Sequence, residues 1–235
     1  MRIRSIQAIP LSFRLPEGKT VRLGVGVTTK RDAIIVKVVS DEGVVGYGEA
    51  HPGRSPGAIV SLIQNTLAPI LSGLSVHDTN SVWTRINRMQ LSSHGLGAGA
   101  ALALSGIDMA LWDLRAKALS LPLYSLLGGS HKRIAAYAGG ISMGFQAADA
   151  LAEEAESYVE MGYRAIKLRL GDNVKDDIAR VRRVRSQVGD GITILVDANT
   201  SYNITDVRSV LPVLEECEVA WLEEPFGFND FGAFR

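Results

Sequence analysis

The chain has 235 residues, of which 46% are hydrophobic, 6% aromatic and 21% charged, and this globular composition excludes a disordered or collagen-like chain. Twenty-five Lys and Arg residues balance 25 Asp and Glu residues, so no net charge attracts nucleic acid or an anionic membrane. The single cysteine, Cys217, has no partner for an internal disulfide, which fits a reducing compartment. We therefore expect a cytoplasmic protein with a small-molecule partner and no nucleic-acid partner.

The first fifty residues alternate between apolar and polar side chains, as β-strands do. Strands are predicted over residues 3–13, 33–39 and 44–49, and a turn at 41–43 joins the last two into an antiparallel hairpin. Residues 15–31, between the first two strands, are too many for a hairpin turn and contain Pro16 and several glycines. We interpret this segment as a candidate functional loop.

From Gly57 onward the apolar residues follow helical spacing. Helices are predicted around residues 59–70, 82–89 and 98–119, and Leu121-Pro122 and Gly128-Gly129 end the last of them. The uncharged stretch 90–107 is broken by serines and glycines and is shorter than the ~20 apolar residues that span a bilayer, so we expect no membrane helix. We assign residues 1–125 to an N-terminal α+β domain and residues 126–235 to a second domain.

After Gly129 strands and helices alternate. Strands are predicted over residues 134–138, 164–170, 192–196 and 219–222, and their starts are separated by 27 to 30 residues, the length of one βα unit. This spacing predicts a parallel sheet. The helix after the second strand has one apolar stripe, and we expect its arginines, Arg180, Arg183 and Arg185, to form a solvated face.

Charged residues stand at the carboxyl ends of these strands. Lys167 and Arg169 share one strand face, and Asp197 and Glu223 end the next two strands. We expect the four side chains to meet at one rim of a barrel. Two neighbouring carboxylates repel each other unless a cation lies between them, and hard oxygen ligands suit Mg²⁺. The alternative is that the two basic side chains form salt bridges with the two carboxylates and no metal binds.

Four motifs resemble the mandelate racemase and muconate lactonizing branch of the enolase superfamily, and the resemblance covers essentially the whole chain. They are Lys167-x-Arg169, Val196-Asp197-Ala198-Asn199, Trp221-Leu222-Glu223-Glu224-Pro225 and Ser105-Gly106-Ile107-Asp108-x-Ala110-Leu111-Trp112-Asp113. The resemblance implies an α/β protein with an N-terminal α+β capping domain followed by an incomplete (β/α)8 TIM-type barrel. It also implies Mg²⁺ ligation by Asp197 and Glu223, with Asn199 near the substrate.

The superfamily uses a Lys or His base with Mg²⁺ that stabilises an ene-diolate. A side chain removes the proton beside a carboxylate only if the resulting dianion is stabilised where it forms. We predict that Lys167 is the base, because repulsion from Arg169 lowers its pKa. The expected reaction is dehydration of a sugar acid, with racemisation or cycloisomerisation of a small carboxylic acid as the alternatives.

Two features depart from the family pattern. The family commonly has a lysine at position 169, whereas an arginine stays protonated, so Lys167 or another residue must take the proton. The family's third carboxylate ligand and its His with a partner Asp lie on later strands, and this chain ends at Arg235. We expect a fragment with half a barrel, whose two-ligand metal site is weak.

Other roles stay open. We predict that His51, after a strand, projects toward the barrel mouth and binds substrate, with a structural role equally favoured. We expect a homo-oligomer. A rival hypothesis is a truncated, non-catalytic relic, and another is a metal-free barrel in which the amine of Lys167 forms a Schiff base.

Overall fold

The structure, a computed structural model, describes residues 1–18, 20–23, 26–140 and 144–235. The chain divides into a first unit of Met1–Arg14 and Lys30–Lys132 and a second unit of Leu15–Thr29 and Arg133–Arg235. The first unit continues to Lys132, past the predicted boundary between residues 125 and 126, and Leu15–Thr29 is grouped with the second unit. Among the described residues, no helix combines the length and the apolar character that crossing a bilayer requires.

Eight strands and eight α-helices occur in the described residues, with short π-helical segments at Leu62–Leu67 and Asn87–Leu91. The strands are β1 Ile3–Arg14, β2 Val21–Leu23, β3 Gly26–Thr28, β4 Lys30–Ser40, β5 Val45–Ala50, β6 Ala165–Arg169, β7 Thr193–Asp197 and β8 Val219–Glu223. The helices are α1 Pro56–Ser61, α2 Ala68–Leu71, α3 Thr79–Ile86, α4 Ala98–Ala118, α5 Leu123–Leu126, α6 Ala148–Glu160, α7 Val174–Val188 and α8 Ile204–Glu216.

The first unit contains an antiparallel sheet in the order β1-β4-β5, which confirms the three predicted strands. On β4 every second side chain is buried, with Ile34, Val36 and Val38 fully inaccessible. These residues pack with the helices of the unit in one apolar core. The alternating pattern of the sequence therefore defines the face of the sheet on which the helices pack.

Helix α4 lies unusually close to strand β5 because three glycines meet at the contact. A Cβ atom at Gly46 would overlap the carbonyl oxygen of Ala110, and one at Gly48 would overlap that of Gly106. A Cβ at Gly106 would in turn come within 2.8 Å of Val36 Cγ2. The close approach lets Ile107, Leu111 and Leu114 of α4 pack in the core with no accessible surface.

We expect Gly48→Ala to lower the melting temperature of the chain, because the added methyl group meets backbone atoms that cannot move independently. Overpacking of this kind costs about 1–3 kcal/mol of unfolding free energy. Gly57→Ala in α1 is the matched control, since nothing lies within 4 Å of its Cβ position. Thermal unfolding followed by circular dichroism measures both variants, and equal melting temperatures would contradict the close contact.

The predicted functional loop at residues 15–31 contains a short hairpin rather than an extended loop. Strands β2 and β3 pair from Val21↔Thr28 to Leu23↔Gly26, and residues 19, 24 and 25 lie outside the described residues. The hairpin contacts the rest of the second unit, where the amide of Phe145 donates to the Arg22 carbonyl at 3.3 Å. The β-branched residues of this hairpin favour strands, but the glycines of the segment led to the prediction of a loop.

The second unit contains a parallel sheet in the order β6-β7-β8, with helices α7 and α8 joining consecutive strands. Its inner residues form a separate apolar core, in which Ile166, Leu168, Ile194 and Val196 are fully buried. The strands predicted over 164–170, 192–196 and 219–222 are therefore confirmed. The arrangement agrees with the sequence pattern, in which strands and helices alternate at a spacing of one βα unit.

The strand predicted over residues 134–138 is wrong. Within residues 134–138, all of which the structure describes, only Ala138 pairs with the sheet, through an isolated parallel bridge to Ile166. Ile134 is 75% exposed, so its apolar side chain does not join the core. Gly139 and Gly140 follow at once, and glycine weakens a strand because it has no side chain to pack.

Helix α7 matches the predicted apolar stripe, with Val181 and Val184 fully buried. The prediction that its arginines form a solvated face is wrong for Arg180, whose side chain is only 7% exposed. Arg180 forms ion pairs with Asp177 and Asp172. A helical wheel places this arginine beside the stripe, but it does not reveal the carboxylates that make its burial possible.

Candidate active site

The ends of three neighbouring strands carry the charged residues that the sequence singles out. The sheet register aligns Arg169 with Asp197, and Asp197 with Glu223. Lys167 lies two residues earlier on β6, on the same face as Arg169. The parallel sheet thus brings the four side chains to one edge, as the alternation along each strand predicts.

Lys167 bridges the two carboxylates. Its Nζ atom donates to both carboxylate oxygens of Glu223, at 3.0 and 2.9 Å, and lies 3.3 Å from Asp197 Oδ2. The Nη1 atom of Arg169 forms an ion pair with the same Asp197 oxygen. The side chains of Lys167 and Asp197 are 8% and 3% exposed, whereas that of Glu223 is 37% exposed. The salt bridges that the sequence left as an alternative to a metal are therefore present.

The pKa of Lys167 does not shift in the predicted direction. Burial is the largest single influence and lowers the pKa, and the charge of Arg169 also lowers it, as expected. The hydrogen bond to Glu223 and the charge of Asp197 together outweigh both effects, so the pKa of Lys167 lies above its ordinary value. The prediction of a lowered pKa was wrong because it counted the neighbouring cation and omitted the two anions.

The turn after β7 has an unusual backbone. Asn199 and Thr200 both have positive φ, 46° and 62°, a region that side-chain-bearing residues seldom adopt. The amide of Asn199 donates to Asp197 Oδ1 at 2.9 Å, and that of Thr200 donates to the Glu224 carbonyl at 2.7 Å. Asn199 Oδ1 is buried and accepts no hydrogen bond within the described part of the chain. The turn therefore holds an unused oxygen acceptor two residues after a buried carboxylate.

The oxygen atoms at the candidate site could supply some, but not all, of the ligands of a hard divalent cation. Asp197 and Glu223 converge on one point, since a single ammonium group contacts both, and carboxylate and amide oxygens are the ligands that Mg²⁺ prefers. No group of three or more His, Cys, Asp or Glu side chains suited to a metal occurs within residues 1–18, 20–23, 26–140 and 144–235. Two carboxylates are thus the charged ligands that these residues offer.

The sequence points to His51, and the structure points to Tyr137. His51 lies in the first unit, where its Nδ1 accepts from the Gly53 amide at 3.1 Å, and its role in substrate binding stays a prediction. The centroid of the Tyr137 ring lies 5.5 Å from Lys167 Nζ, although the sequence pattern gives this tyrosine no special place. Tyr137 precedes the single bridging residue Ala138, and only the spatial contact identifies it.

The fold and the candidate site together define a class of protein. Acidic residues end neighbouring parallel strands of a βα domain, and a buried lysine lies beside them. Residues 11–128 match the family described as the mandelate racemase / muconate lactonizing enzyme N-terminal domain, and residues 150–235 match the enolase C-terminal domain-like family. The chain belongs to the mandelate racemase and muconate lactonizing enzyme family of the enolase superfamily. This confirms the predicted family and its fold class, an N-terminal α+β capping domain followed by part of a (β/α)8 barrel.

Curated relatives carry out different reactions. The chain is 30% identical to a 3,6-anhydro-alpha-L-galactonate cycloisomerase of Streptomyces coelicolor, over 95% of this chain and 61% of that protein. It is 30% identical to an arabinonate dehydratase of Saccharolobus solfataricus, over 85% of this chain and 57% of that protein. It is also 30% identical to an N-succinyl-L-Arg/Lys racemase of Bacillus cereus, over 97% of this chain and 61% of that protein. The chain thus spans about three fifths of the length of these relatives.

Two solved structures show the same fold. A member of the enolase superfamily from Polaromonas sp. JS666 is 62% identical with a TM-score of 0.96, over 100% of this chain and 61% of that one. A dipeptide epimerase from Enterococcus faecalis, solved with Mg and the dipeptide L-Leu-L-Tyr, is 25% identical with a TM-score of 0.83, over 99% of this chain and 64% of that one. Both therefore extend beyond the part that this chain covers.

Proposed function

We propose that the chain belongs to a Mg²⁺-dependent enzyme that removes the proton α to a carboxylate, with dehydration of a sugar acid as the overall reaction. The observation that carries this proposal is the convergence of Asp197 and Glu223 on Lys167 at neighbouring strand ends. Asp197 and Glu223 would hold the ion, which when bound supplies positive charge where the ene-diolate develops. The arabinonate dehydratase among the relatives supports the choice of reaction.

Lys167 is the proposed base. Its two carboxylate partners raise its pKa, while its burial and the neighbouring Arg169 lower it. When Asp197 and Glu223 are engaged by another cation, the influences that favour the neutral amine remain and those that favour the ammonium are weakened. In this proposal Lys167 would act in its neutral form, because an amine lone pair beside a site of positive charge is the condition for removing a weakly acidic proton.

The remaining polar groups have positioning roles in this proposal. Arg169 stays protonated, keeps its ion pair with Asp197 and orients that carboxylate. The unpaired Oδ1 atom of Asn199 would accept a hydrogen bond from a substrate hydroxyl, since a buried acceptor without a partner is costly. A donor-rich, polyhydroxylated acid satisfies this acceptor better than an apolar one. His51 stays a predicted substrate contact.

Two other interpretations receive some support. Racemase and cycloisomerase activity would use the same proton abstraction, and the relatives from Bacillus cereus and Streptomyces coelicolor bear these names. A non-catalytic chain is the second, because Lys167 and Arg169 already neutralise both carboxylates. A Schiff-base lysine is less favoured, because that chemistry assigns no role to Asp197 and Glu223, the two carboxylates beside the lysine. A cytoplasmic location and a homo-oligomer stay predictions.

Calorimetric titration of the 235-residue chain with Mg²⁺ tests the proposal. We expect saturable binding, followed by Mg²⁺-dependent exchange of solvent deuterium into the α position of sugar acids, detected by proton NMR. Excess EDTA should stop the exchange. A folded chain that takes up no Mg²⁺ would support the non-catalytic interpretation. Exchange that continues in EDTA would contradict the role of the metal.

A further inference from the structure

A buried carboxylate lies behind the turns that follow β6 and β7. Asp177, in the first turns of α7, has no accessible surface. Its Oδ2 atom accepts from the Gly171 amide at 2.9 Å and from the Tyr202 hydroxyl at 2.7 Å. Gly171 follows the strand of Lys167 and Arg169, and Tyr202 follows the turn of Asp197 and Asn199. One carboxylate oxygen thus joins the two chain segments that position the candidate site.

Arg180 balances the charge of Asp177. Its Nη1 donates to Asp177 Oδ1 at 2.8 Å, its Nη2 donates to Asp172 Oδ2 at 3.0 Å, and its Nε donates to the Gln146 carbonyl at 2.6 Å. Arg22 of the β2–β3 hairpin donates to the other oxygen of Asp172 at 3.1 Å. Each of the three guanidinium nitrogens of Arg180 therefore has a hydrogen-bond acceptor. This fixed guanidinium holds the Asp177 carboxylate in one orientation.

The two turns also touch each other directly. Gly171 has a φ of 96°, and a Cβ atom there would come within 2.6 Å of the Ala198 carbonyl oxygen. The amide of Leu170 donates to the Asp197 carbonyl at 2.9 Å. The amide of Tyr202 donates to the Pro225 carbonyl at 3.0 Å, which connects the segment after Glu223. All three strand ends of the candidate site are therefore linked at their backbones.

A purely structural role explains this arrangement poorly. Burial penalises the ionised carboxylate of Asp177 and raises its pKa, and it likewise raises the pKa of Tyr202. Apolar side chains of similar volume often serve stability equally well or better than such buried ion pairs. Hydrogen bonds depend on direction, whereas apolar packing does not. Each hydrogen bond of Asp177 therefore fixes the position of one donor atom in a turn.

We infer that Asp177 is a positioning residue, which acts through Tyr202 and Gly171 to hold the turns that present Asp197 to a bound cation and Asn199 to the substrate. This inference rests on the proposed function and assigns a role to residues outside the candidate site. Arg180 supports the same role by fixing the Asp177 carboxylate. Supporting partners of this kind change metal affinity even though they do not touch the metal.

Tyr202→Phe tests the inference, because it removes one hydroxyl and keeps the ring. We expect the Kd for Mg²⁺, measured by calorimetry, to rise about tenfold. The amides of Ala198, Thr200 and Tyr202 donate to the carbonyls of residues 223, 224 and 225. We expect these amides to exchange roughly tenfold faster with solvent, because the hydrogen bonds open more often when the turns are held less firmly. Tyr163→Phe is the control, since this tyrosine in the same unit is not bonded to the turns, and both quantities should stay at their wild-type values.

The outcomes separate the inference from the proposed function. If the wild-type chain binds Mg²⁺ and Tyr202→Phe binds it equally well, the inference is wrong and the proposed function stands. If the wild-type chain binds no Mg²⁺, the proposed function fails, and unchanged amide exchange in Tyr202→Phe would overturn the positioning role by itself. A lower melting temperature with an unchanged Kd and unchanged exchange of these amides would mark Asp177 as structural only.

Discussion

Replacement of Asp197 by asparagine is expected to weaken Mg²⁺ binding more than any other single substitution. Asp197 is the most deeply buried carboxylate of the candidate site and pairs with both Lys167 and Arg169. Asparagine keeps the shape but removes the charge, so the cation would lose one of two charged ligands. Loss of a supporting partner alone costs about 10- to 100-fold in metal affinity, and loss of a direct ligand should cost at least as much. Calorimetric titration of the variant measures the change.

Asp190→Asn is the matched control for this prediction. Asp190 is exposed in the turn before β7, so its substitution removes the same charge from the unit without touching the site. The two variants should differ in Mg²⁺ affinity and agree in net charge. If Asp197→Asn bound Mg²⁺ as tightly as Asp190→Asn, Asp197 would not be a ligand.

Lys167→Met should have two effects in opposite directions. We expect α-proton exchange to fall by at least about 100-fold, the lower end of what a general base contributes. Mg²⁺ binding should become tighter, because the ammonium that contacts Asp197 and Glu223 no longer competes for their oxygens. Without Mg²⁺ the variant should melt at a lower temperature, since Glu223 loses its ammonium partner and Asp197 keeps only Arg169, and added Mg²⁺ should restore stability.

The corresponding control is Lys175→Met, at an exposed position of α7. It should leave exchange, Mg²⁺ affinity and melting temperature close to the wild-type values. Undiminished exchange in Lys167→Met would exclude Lys167 as the base. Weaker Mg²⁺ binding in that variant would show that the lysine supports the carboxylates rather than competing for them.

The strand ends of the second unit could be predicted because two simple rules combine there. Side chains alternate along a strand, and parallel strands end at a common edge, so Lys167, Arg169, Asp197 and Glu223 had to approach one another. The register that pairs Arg169 with Asp197 and Asp197 with Glu223 agrees with this reasoning. The meeting point of these side chains could therefore be predicted from the sequence for the same reason that the sheet could, whereas their roles stay predictions.

The balance of charges within the site could not be predicted in the same way. Whether Lys167 is an ammonium depends on distances of about 3 Å to Glu223 and Asp197, which alternation does not provide. The burial of Arg180 depends on Asp172, Asp177 and the Gln146 carbonyl, three partners that a helical pattern does not place. Polar contacts between elements are decided by tertiary packing, whereas apolar periodicity is a property of each element by itself.

Asn199, Thr200 and Glu224 are side-chain-bearing residues that adopt left-handed backbone at the edge of the site. Each such residue costs on the order of 1–3 kcal/mol, which neighbouring interactions must offset. Glycine would adopt the same conformations at less cost, but it would also allow many others. Replacement of Thr200 by glycine should therefore raise the melting temperature of the chain and lower its turnover. This would be a trade-off between stability and activity that is confined to one turn.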